Sequence, residues 1–300
     1  MPPTWLHMRD RKAGYDVSVP HRAQGYLSVL SFSRDAEAVM GQLKAAGEKV
    51  FADYRKRMES QMQEAGIRQR LLEAAPGEWV LEYRDLASFC QSKTPQGFGK
   101  WYEELCGRTE KELAAGRLNY PQAALEMMDA LLTFSGITRP VMVIAFAPPY
   151  YPAFHSDRLD RGAGAASGRE MRGGAGTASG GKQQRGTALF EMLAASAKRA
   201  RGLRLVMGNY FCGISDLSYC GGQGAQALKA YEENSPLWGR MYSMDREAMS
   251  RFQVPSLLFG PVSKDAHQIS ERVNRKSLLE DTPAVIREFI EQMFVNNADI

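Results

Sequence analysis

The chain has 300 residues, a net charge of +4 and ordinary apolar and charged fractions, which suit one or two domains with a sizeable core. So small a positive excess does not favour nucleic acid as a partner. Neither a signal-peptide core nor a run of ~20 apolar residues is found, so we expect a cytoplasmic protein without membrane attachment. The cysteines, Cys90, Cys106, Cys212 and Cys220, are scattered, which predicts reduced thiols and leaves histidines and carboxylates as candidate metal ligands.

The first 66 residues predict part of a small α+β domain. Tyr15–Val19 and Gly25–Phe32 have strand patterns on either side of a break at Pro20. Ser33 or Asp35 is placed to cap a long amphipathic helix that ends near Glu64. One strand pair and one helix make about half of such a domain.

Residues 67–138 predict a helical insertion. We expect helices over 83–90, 99–115 and 121–134, the last with Pro121 in its first turn, where a missing N–H costs nothing. The acidic pairs at Glu103-Glu104 and Glu110-Lys111-Glu112 could hold a metal, but no histidine shares their spacing. We therefore interpret them as a solvated helix face.

Residues 139–300 alternate between strand and helix patterns, which predicts a parallel or mixed sheet between helices. Val141–Ala147 is an apolar run typical of a strand buried on both faces. Residues 160–186, rich in Gly, Ala, Ser and Arg, predict a flexible loop. The remaining expected elements are helices over 187–201, 245–252 and 282–294, the last capped by Thr282, and strands over 204–207 and 256–259.

Ligands of such sheets bind where the strands end at their carboxyl side. Three segments follow predicted strands or lie between them: 148–155, 213–216 and 260–271. They contribute His155, Ser215, Asp216, His267 and Glu271. His267, with Glu271 four residues later, suits metal binding or proton transfer, or is a loop histidine bonded to a neighbour. Ser215 is a poor candidate nucleophile, because the Gly-x-Ser-x-Gly elbow is absent.

Several of these segments carry a resemblance. Four sequence motifs occur in this order: Phe146-Ala-Pro-Pro-Tyr-Tyr-Pro152, Gly213-Ile-Ser-Asp-Leu-Ser-Tyr219, Pro236-Leu-Trp-Gly239 and Gly260-Pro…Lys264-Asp-Ala-His267…Glu271-Arg. It resembles the zinc metallopeptidases typified by acetylornithine deacetylase and succinyl-diaminopimelate desuccinylase, and within them the arginine-utilisation (RocB-type) proteins. The complete family binds two zinc ions and hydrolyses amide bonds of acylated amino acids or small peptides.

The resemblance implies roles for individual residues. His267 matches the last zinc ligand, Gly213 and Ser215 match a substrate-holding segment, and Asp216 would order that segment. His155 and Glu271 would support the site. The fold implied is part of a helix-flanked mixed parallel sheet, preceded by part of an α+β lid.

The lid-like part matches the family at one turn and departs from it at one position. Asp16-Val-Ser-Val-Pro20 resembles a turn in the family's lid. The family's substrate-binding lid arginine is replaced by Leu30, and neither Arg22 nor Arg34 is assigned its role.

The family's front half is the main departure. It supplies a His-x-Asp metal motif, a bridging aspartate and a Glu-Glu pair with the general base, and we identify none of these in this chain. The Glu pairs at Glu103 and Glu232 lie in apparent helices. We therefore expect an incomplete hydrolase, inactive alone, completed by a missing N-terminal half or by a homodimer. The alternatives are a non-catalytic scaffold for dimerisation or ligand binding, and a gene remnant.

Overall fold

The structure is a computed structural model that describes residues 3–12, 20–30, 34–67, 79–152, 185–208, 215–220, 225–251, 256–266 and 269–297. The chain is a mixed α/β protein with small sheets, one of which is a parallel pair. Its strands are β1 (Thr4–Asp10), β2 (Ala23–Ser28), β3 (Val80–Glu82), β4 (Met142–Ile144), β5 (Ser263–Lys264) and β6 (Arg272–Val273). Its α-helices are α1 (Ala36–Glu64), α2 (Tyr83–Lys93), α3 (Pro95–Ala114), α4 (Tyr120–Ser135), α5 (Arg185–Arg201), α6 (Ala225–Glu233), α7 (Arg246–Arg251) and α8 (Thr282–Asn297).

Contacts divide the chain into two compact units. The first unit comprises Met1–Ala153 and Gln223–Arg246, and the second comprises Phe154–Gly222 and Glu247–Ile300. This grouping is not that of the three predicted segments, 1–66, 67–138 and 139–300, which stay a prediction about domain organisation. Among the described helices, none combines the length and apolar character needed to cross a bilayer.

The helices of the first unit begin and end where local chemistry predicts. Asp35 caps α1 by accepting a hydrogen bond from the backbone N–H of Ala38 (2.8 Å). Asn119 and Gln122 bond to each other's backbone N–H at the start of α4, forming a capping box (2.9 Å each). Gly136 ends α4 with φ +64°, a left-handed conformation that glycine adopts without strain. The three predicted helices between 67 and 138 are confirmed, with small shifts of their ends.

The parallel pair β3–β4 lies between two layers of helices. Alternate residues of the pair face opposite sides. Leu81 and Val143 pack against the cluster formed by α2, α3 and α4. On the other side α1 comes so close that a Cβ added to Gly47 would lie 2.9 Å from Val80 Cγ2 and 3.1 Å from Met142 Sδ. Of the predicted strand Val141–Ala147, only Met142–Ile144 is a strand. Met142 is exposed, although burial on both faces was predicted.

The hairpin β1–β2 was only half predicted. Ala23–Ser28 is a strand, but it pairs antiparallel with Thr4–Asp10, a strand that the sequence analysis missed. The other predicted strand, Tyr15–Val19, falls among residues that the structure does not describe. Two arginines attach the hairpin to α4: Arg11 binds Glu126 (2.5 Å) and Asp129 (3.4 Å), and Arg22 binds Asp129 and Thr133 (2.7 Å each).

The second unit is built on the helix pair α5–α8. Its described core consists of Leu193 and Ala197 of α5 and Val285 of α8, with Leu205, Leu257, Phe259 and Phe289 packed around them. The predicted strands 204–207 and 256–259 are wrong, because neither segment is a strand. The predicted helix starting at Thr282 begins earlier: Asn274 accepts a hydrogen bond from Ser277 N (2.9 Å), and a π-helical stretch, Ser277–Asp281, leads into α8.

Candidate functional site

Residues 146–152, which follow β4, form hydrogen bonds with residues that follow α6 in the sequence. The backbone N–H of Phe146 donates to the carbonyl oxygen of Asn234 (2.8 Å). The backbone N–H of Tyr150 donates to the hydroxyl of Tyr242 (3.0 Å). Pro148 and Pro152 are fully buried. Residues 146–152 are thus held in place at the carboxyl end of the parallel strand pair. Ligands of α/β sheets bind at this end of the strands.

Aromatic rings of residues 146–152 pack against rings of α6 and of the segment that follows it. Tyr231 is 1% exposed, and its ring centroid lies 5.2 Å from Phe146, 4.4 Å from Tyr150 and 5.8 Å from Trp238. Burial, together with the charge of Asp35, raises the pKa of the Tyr150 phenol, so this group is neutral at physiological pH. Two of the four segments that carry the family resemblance, Phe146–Pro152 and Pro236–Gly239, therefore meet in one cluster.

A buried polar network lies next to this cluster, at the last residue of β3. Glu82 is 5% exposed, and its carboxylate accepts hydrogen bonds from Asn234 (3.0 Å) and, more weakly, Lys44 (3.4 Å), and forms an ion pair with Arg84 (2.9 Å). The side-chain oxygen of Asn234 accepts from the backbone N–H of Arg84 (3.2 Å). The side chain of Asn234 thus bonds to the end of β3 and to the start of α2. Its backbone carbonyl bonds to the segment after β4.

A second buried polar group links α2 to α3. The hydroxyls of Tyr83 and Tyr102 are 2.7 Å apart, and Tyr102 also bonds to the thiol of Cys106. Burial raises the pKa of both phenols and of the thiol, because the charged forms would lose their hydration. All three groups are therefore protonated near neutral pH. They fit a structural hydrogen-bonded chain better than an activated nucleophile.

Three of the four acidic residues of α3 that were interpreted as a solvated face, Glu103, Glu110 and Glu112, are paired with arginines. Arg240 binds both Glu103 and Glu110, the latter at 2.6 Å, and this bond lowers the pKa of the Glu110 carboxyl. Glu112 binds Arg117 (2.6 Å). A shallow cleft of about 500 Å³ lies beside them, and none of its lining residues is a predicted site residue. The lining is Glu110, Leu113, Ala114, Leu118, Asn119, Tyr120 and Met241.

Ser215 and Asp216 lie in the second unit, at the start of a short 3-10 helix, Asp216–Tyr219. Ser215 Oγ accepts a hydrogen bond from the backbone N–H of Leu217 (3.3 Å), which leaves its hydroxyl hydrogen for a further acceptor. Asp216 follows at the exposed surface. Ser215 therefore caps this short helix, and the ordering role of Asp216 stays a prediction.

Glu271 lies at the exposed surface directly before β6. The hairpin β5–β6 is held by Asp265, whose carboxylate binds Arg272 and Ser270 (3.1 Å). This hairpin replaces the simple loop that the sequence predicted between 260 and 271. His267 belongs to this stretch of sequence but is not among the described residues.

Gly213 and His155 likewise fall outside the described ranges, as do residues 160–184 of the predicted flexible loop. Within the described ranges, no three His, Cys, Asp or Glu side chains come together as a metal site would require. His155-Ser156-Asp157 has the His-x-Asp spacing of a metal motif, a point the sequence analysis overlooked. Arg22 and Arg34, the two lid arginines considered, bind Asp129 and Gln42 (2.5 Å).

Sequence reasoning also missed the residues that organise the first unit. Glu82 and Asn234 were given no role, and residues 67–135, which contain Glu82, were interpreted mostly as helices. The available signal was Trp79-Val80-Leu81, a short aromatic and β-branched run directly before a helix, which is typical of a strand.

Comparison with known proteins adds one relative. The chain is 26% identical over 296 residues to the uncharacterized protein YqjN of Bacillus subtilis, a match that covers 95% of this chain and 47% of YqjN. The chain thus spans about half the length of the curated relative it matches. No family model matches the chain, and no solved structure matches it.

Proposed function

We propose that this chain is the substrate-holding part of a metal-dependent amide-bond hydrolase of the RocB-like metallopeptidase type, acting on N-acyl amino acids or small peptides. The observation that carries the proposal is the meeting of Phe146–Pro152 and Pro236–Gly239, two of the segments on which the resemblance rests, at the carboxyl end of β3–β4. The zinc exopeptidase-like sheet and a cytoplasmic location are parts of the same proposal.

Zinc is proposed as the metal of the complete enzyme, with His267 as one ligand. The described residues provide no set of three ligands. A catalytic zinc generally needs three protein ligands and an open position. We therefore propose that the chain binds its substrate but does not hydrolyse it alone.

Ser215 gives the proposal a direct test. Its hydroxyl hydrogen is available for a substrate carbonyl or carboxylate, and one such hydrogen bond is worth about 0.5–1.5 kcal/mol, or roughly 2- to 12-fold in affinity. Calorimetric titration of the purified chain with N-acyl amino acids and dipeptides should show binding without turnover. Ser215→Ala should weaken binding several-fold, whereas Ser218→Ala, in the 3-10 helix that Ser215 caps, should not.

Two results would contradict the proposal in different ways. Absence of binding by every N-acyl amino acid and dipeptide would overturn the substrate class. Near-stoichiometric zinc, with turnover that His267→Ala abolishes, would overturn the claim that the chain is incomplete.

A further inference from the structure

The cleft at the carboxyl end of α3 lies within the first unit and takes no part in the proposed function. Its volume of about 500 Å³ falls in the range of about 300–1,000 Å³ that is usual for small-molecule sites. Leu113, Leu118 and Met241 line it, and all three pack against the core cluster that contains Leu105 and Met127. They are thus supported by the core while part of their surface stays exposed. Such a lining suits the apolar body of a small ligand.

Tyr120 adds an aromatic ring to the same cleft. It is 37% exposed, and its ring meets that of Tyr242 edge-to-face, with the centroids 5.7 Å apart. Tyr242 is itself held through its hydroxyl, which accepts a hydrogen bond from the backbone N–H of Tyr150 (3.0 Å). The backbone of Tyr120 is fixed as well, because Asn119 begins α4 with a capping box. A ring that is held in place and partly open can attract a cation to its face.

Glu110 is the carboxylate of the cleft, and no basic side chain is among its described lining residues. Both oxygens of Glu110 bind Arg240 (2.6 and 3.1 Å), but Arg240 also binds Glu103. Two carboxylates thus share one guanidinium, and each Glu110 oxygen keeps a lone pair for a further donor. Helix α3 also ends here, and the carboxyl end of a helix carries partial negative charge. The cleft therefore favours a positively charged ligand.

We propose that this cleft binds an organic monocation with a compact apolar body, of the arylalkylammonium class. The ammonium group donates to the Glu110 carboxylate beside the ring of Tyr120, and the apolar body covers Leu113, Leu118 and Met241. A bare Mg²⁺ or Ca²⁺ ion does not suit this lining, because such ions need several oxygen ligands and most of the lining is apolar. Binding here does not depend on hydrolysis or on the Phe146–Pro152 segment as a substrate site.

The probe for this site is phenethylammonium, and its uncharged counterpart is phenethyl alcohol. Each is titrated at constant ionic strength into the full chain with isotope-labelled leucine and methionine methyl groups, and binding is followed by NMR. Phenethylammonium should bind saturably in the millimolar range, since an exposed cation–π contact and a surface ion pair each contribute modestly. The largest shifts should be those of Leu113, Leu118 and Met241. Phenethyl alcohol should bind at least about threefold more weakly, because it lacks the charge.

Variants at the partly exposed Tyr120 and Glu110 separate the two contributions while leaving the core intact. Tyr120→Leu removes the ring and should weaken phenethylammonium binding by roughly two- to fivefold, whereas Tyr120→Phe keeps the ring and the affinity. Glu110→Gln should weaken it by a similar factor. Glu104→Gln is the matched control, because it removes the same charge from an exposed position of α3 outside the cleft, and it should leave the affinity unchanged.

The proposal is overturned if phenethylammonium causes no saturable shift of the methyl groups in the cleft, or if phenethyl alcohol binds as tightly. It is overturned as well if Glu104→Gln weakens binding as much as Glu110→Gln does, since that would indicate general attraction to the acidic surface of α3. Equal affinities of Tyr120→Leu and the wild type would exclude the ring from the site and thereby contradict the proposed position of the cation.

Discussion

Asn234 is the residue on which the centre of the first unit most depends. Its side-chain amide bonds to the Glu82 carboxylate and to the backbone N–H of Arg84, while its backbone carbonyl accepts a hydrogen bond from the backbone N–H of Phe146. Removing one partner of a buried polar group is costly, because the remaining groups lose hydration without compensation.

We expect Asn234→Ala to lower the free energy of unfolding by roughly 2–3 kcal/mol. Urea denaturation measures the effect, and Gln91→Ala, an exposed amide on α2, is the matched control with an expected change within about 0.5 kcal/mol. Equal effects of the two substitutions would show that the network around Glu82 contributes little.

The phenols of Tyr83 and Tyr102 predict a dependence of stability on alkaline pH. Burial raises both pKa values above the ordinary 10.0, so above that pH the unfolded chain loses protons that the folded chain retains. The free energy of unfolding should therefore be constant below pH 10.0 as far as these groups are concerned, and fall as the pH rises above it.

The double variant Tyr83→Phe/Tyr102→Phe should show a shallower alkaline decline than the wild type in urea unfolding at a series of pH values. Tyr54→Phe, at an exposed position, is the control and should leave the decline unchanged. A decline as steep in the double variant as in the wild type would assign it to other groups.

At the scale of elements, helices could be predicted far better than strands. The side chains of Asp35 and Asn119 cap the helices that begin next to them, so the starts of α1 and α4 can be predicted from the local sequence. A strand depends on a partner distant in sequence. Val80–Glu82 forms because Met142–Ile144 pairs with it, whereas 204–207 and 256–259 have strand sequences without described partners.

The start of α8 shows how a plausible local signal can mislead. Thr282 is a good capping residue, but the helix extends through it, and Asn274 accepts the capping bond from Ser277 N. We expect Asn274→Ala to destabilise the second unit by about 1 kcal/mol, and Thr282→Val, which keeps the side-chain shape, to cost less than about 0.5 kcal/mol. Circular dichroism during urea unfolding measures both, and the reverse order of effects would restore Thr282 as the cap.

At the scale of the whole molecule, the candidate site was predictable only in parts. The sequence identified Phe146–Pro152 and Ser215-Asp216 as segments of interest, and the structure describes both as ordered. It could not place Glu82 and Asn234 together, because they are separated by 152 positions and only tertiary packing joins them. The predicted proximity of His267 to Ser215 stays a prediction.

The two units should unfold at different denaturant concentrations. The described core of the second unit is small, whereas the first unit contains three of the four core clusters. All four tryptophans, Trp5, Trp79, Trp101 and Trp238, belong to the first unit. Circular dichroism, which also reports α5 and α8, should therefore begin to change at lower urea than tryptophan fluorescence. Coincident curves would indicate a single cooperative unit.

The arginine attachment of hairpin β1–β2 has a consequence for handling the protein. Arg11 and Arg22 reach Glu126 and Asp129 at partly exposed positions, where dissolved ions weaken Coulomb attraction. At 1 M salt the screening length falls to about 3 Å, comparable with these ion-pair distances. The hairpin should then detach more often and become a preferred target for trypsin, which cleaves after the arginines that hold it. Buffer ionic strength thus becomes a reversible control over access to the amino-terminal strands.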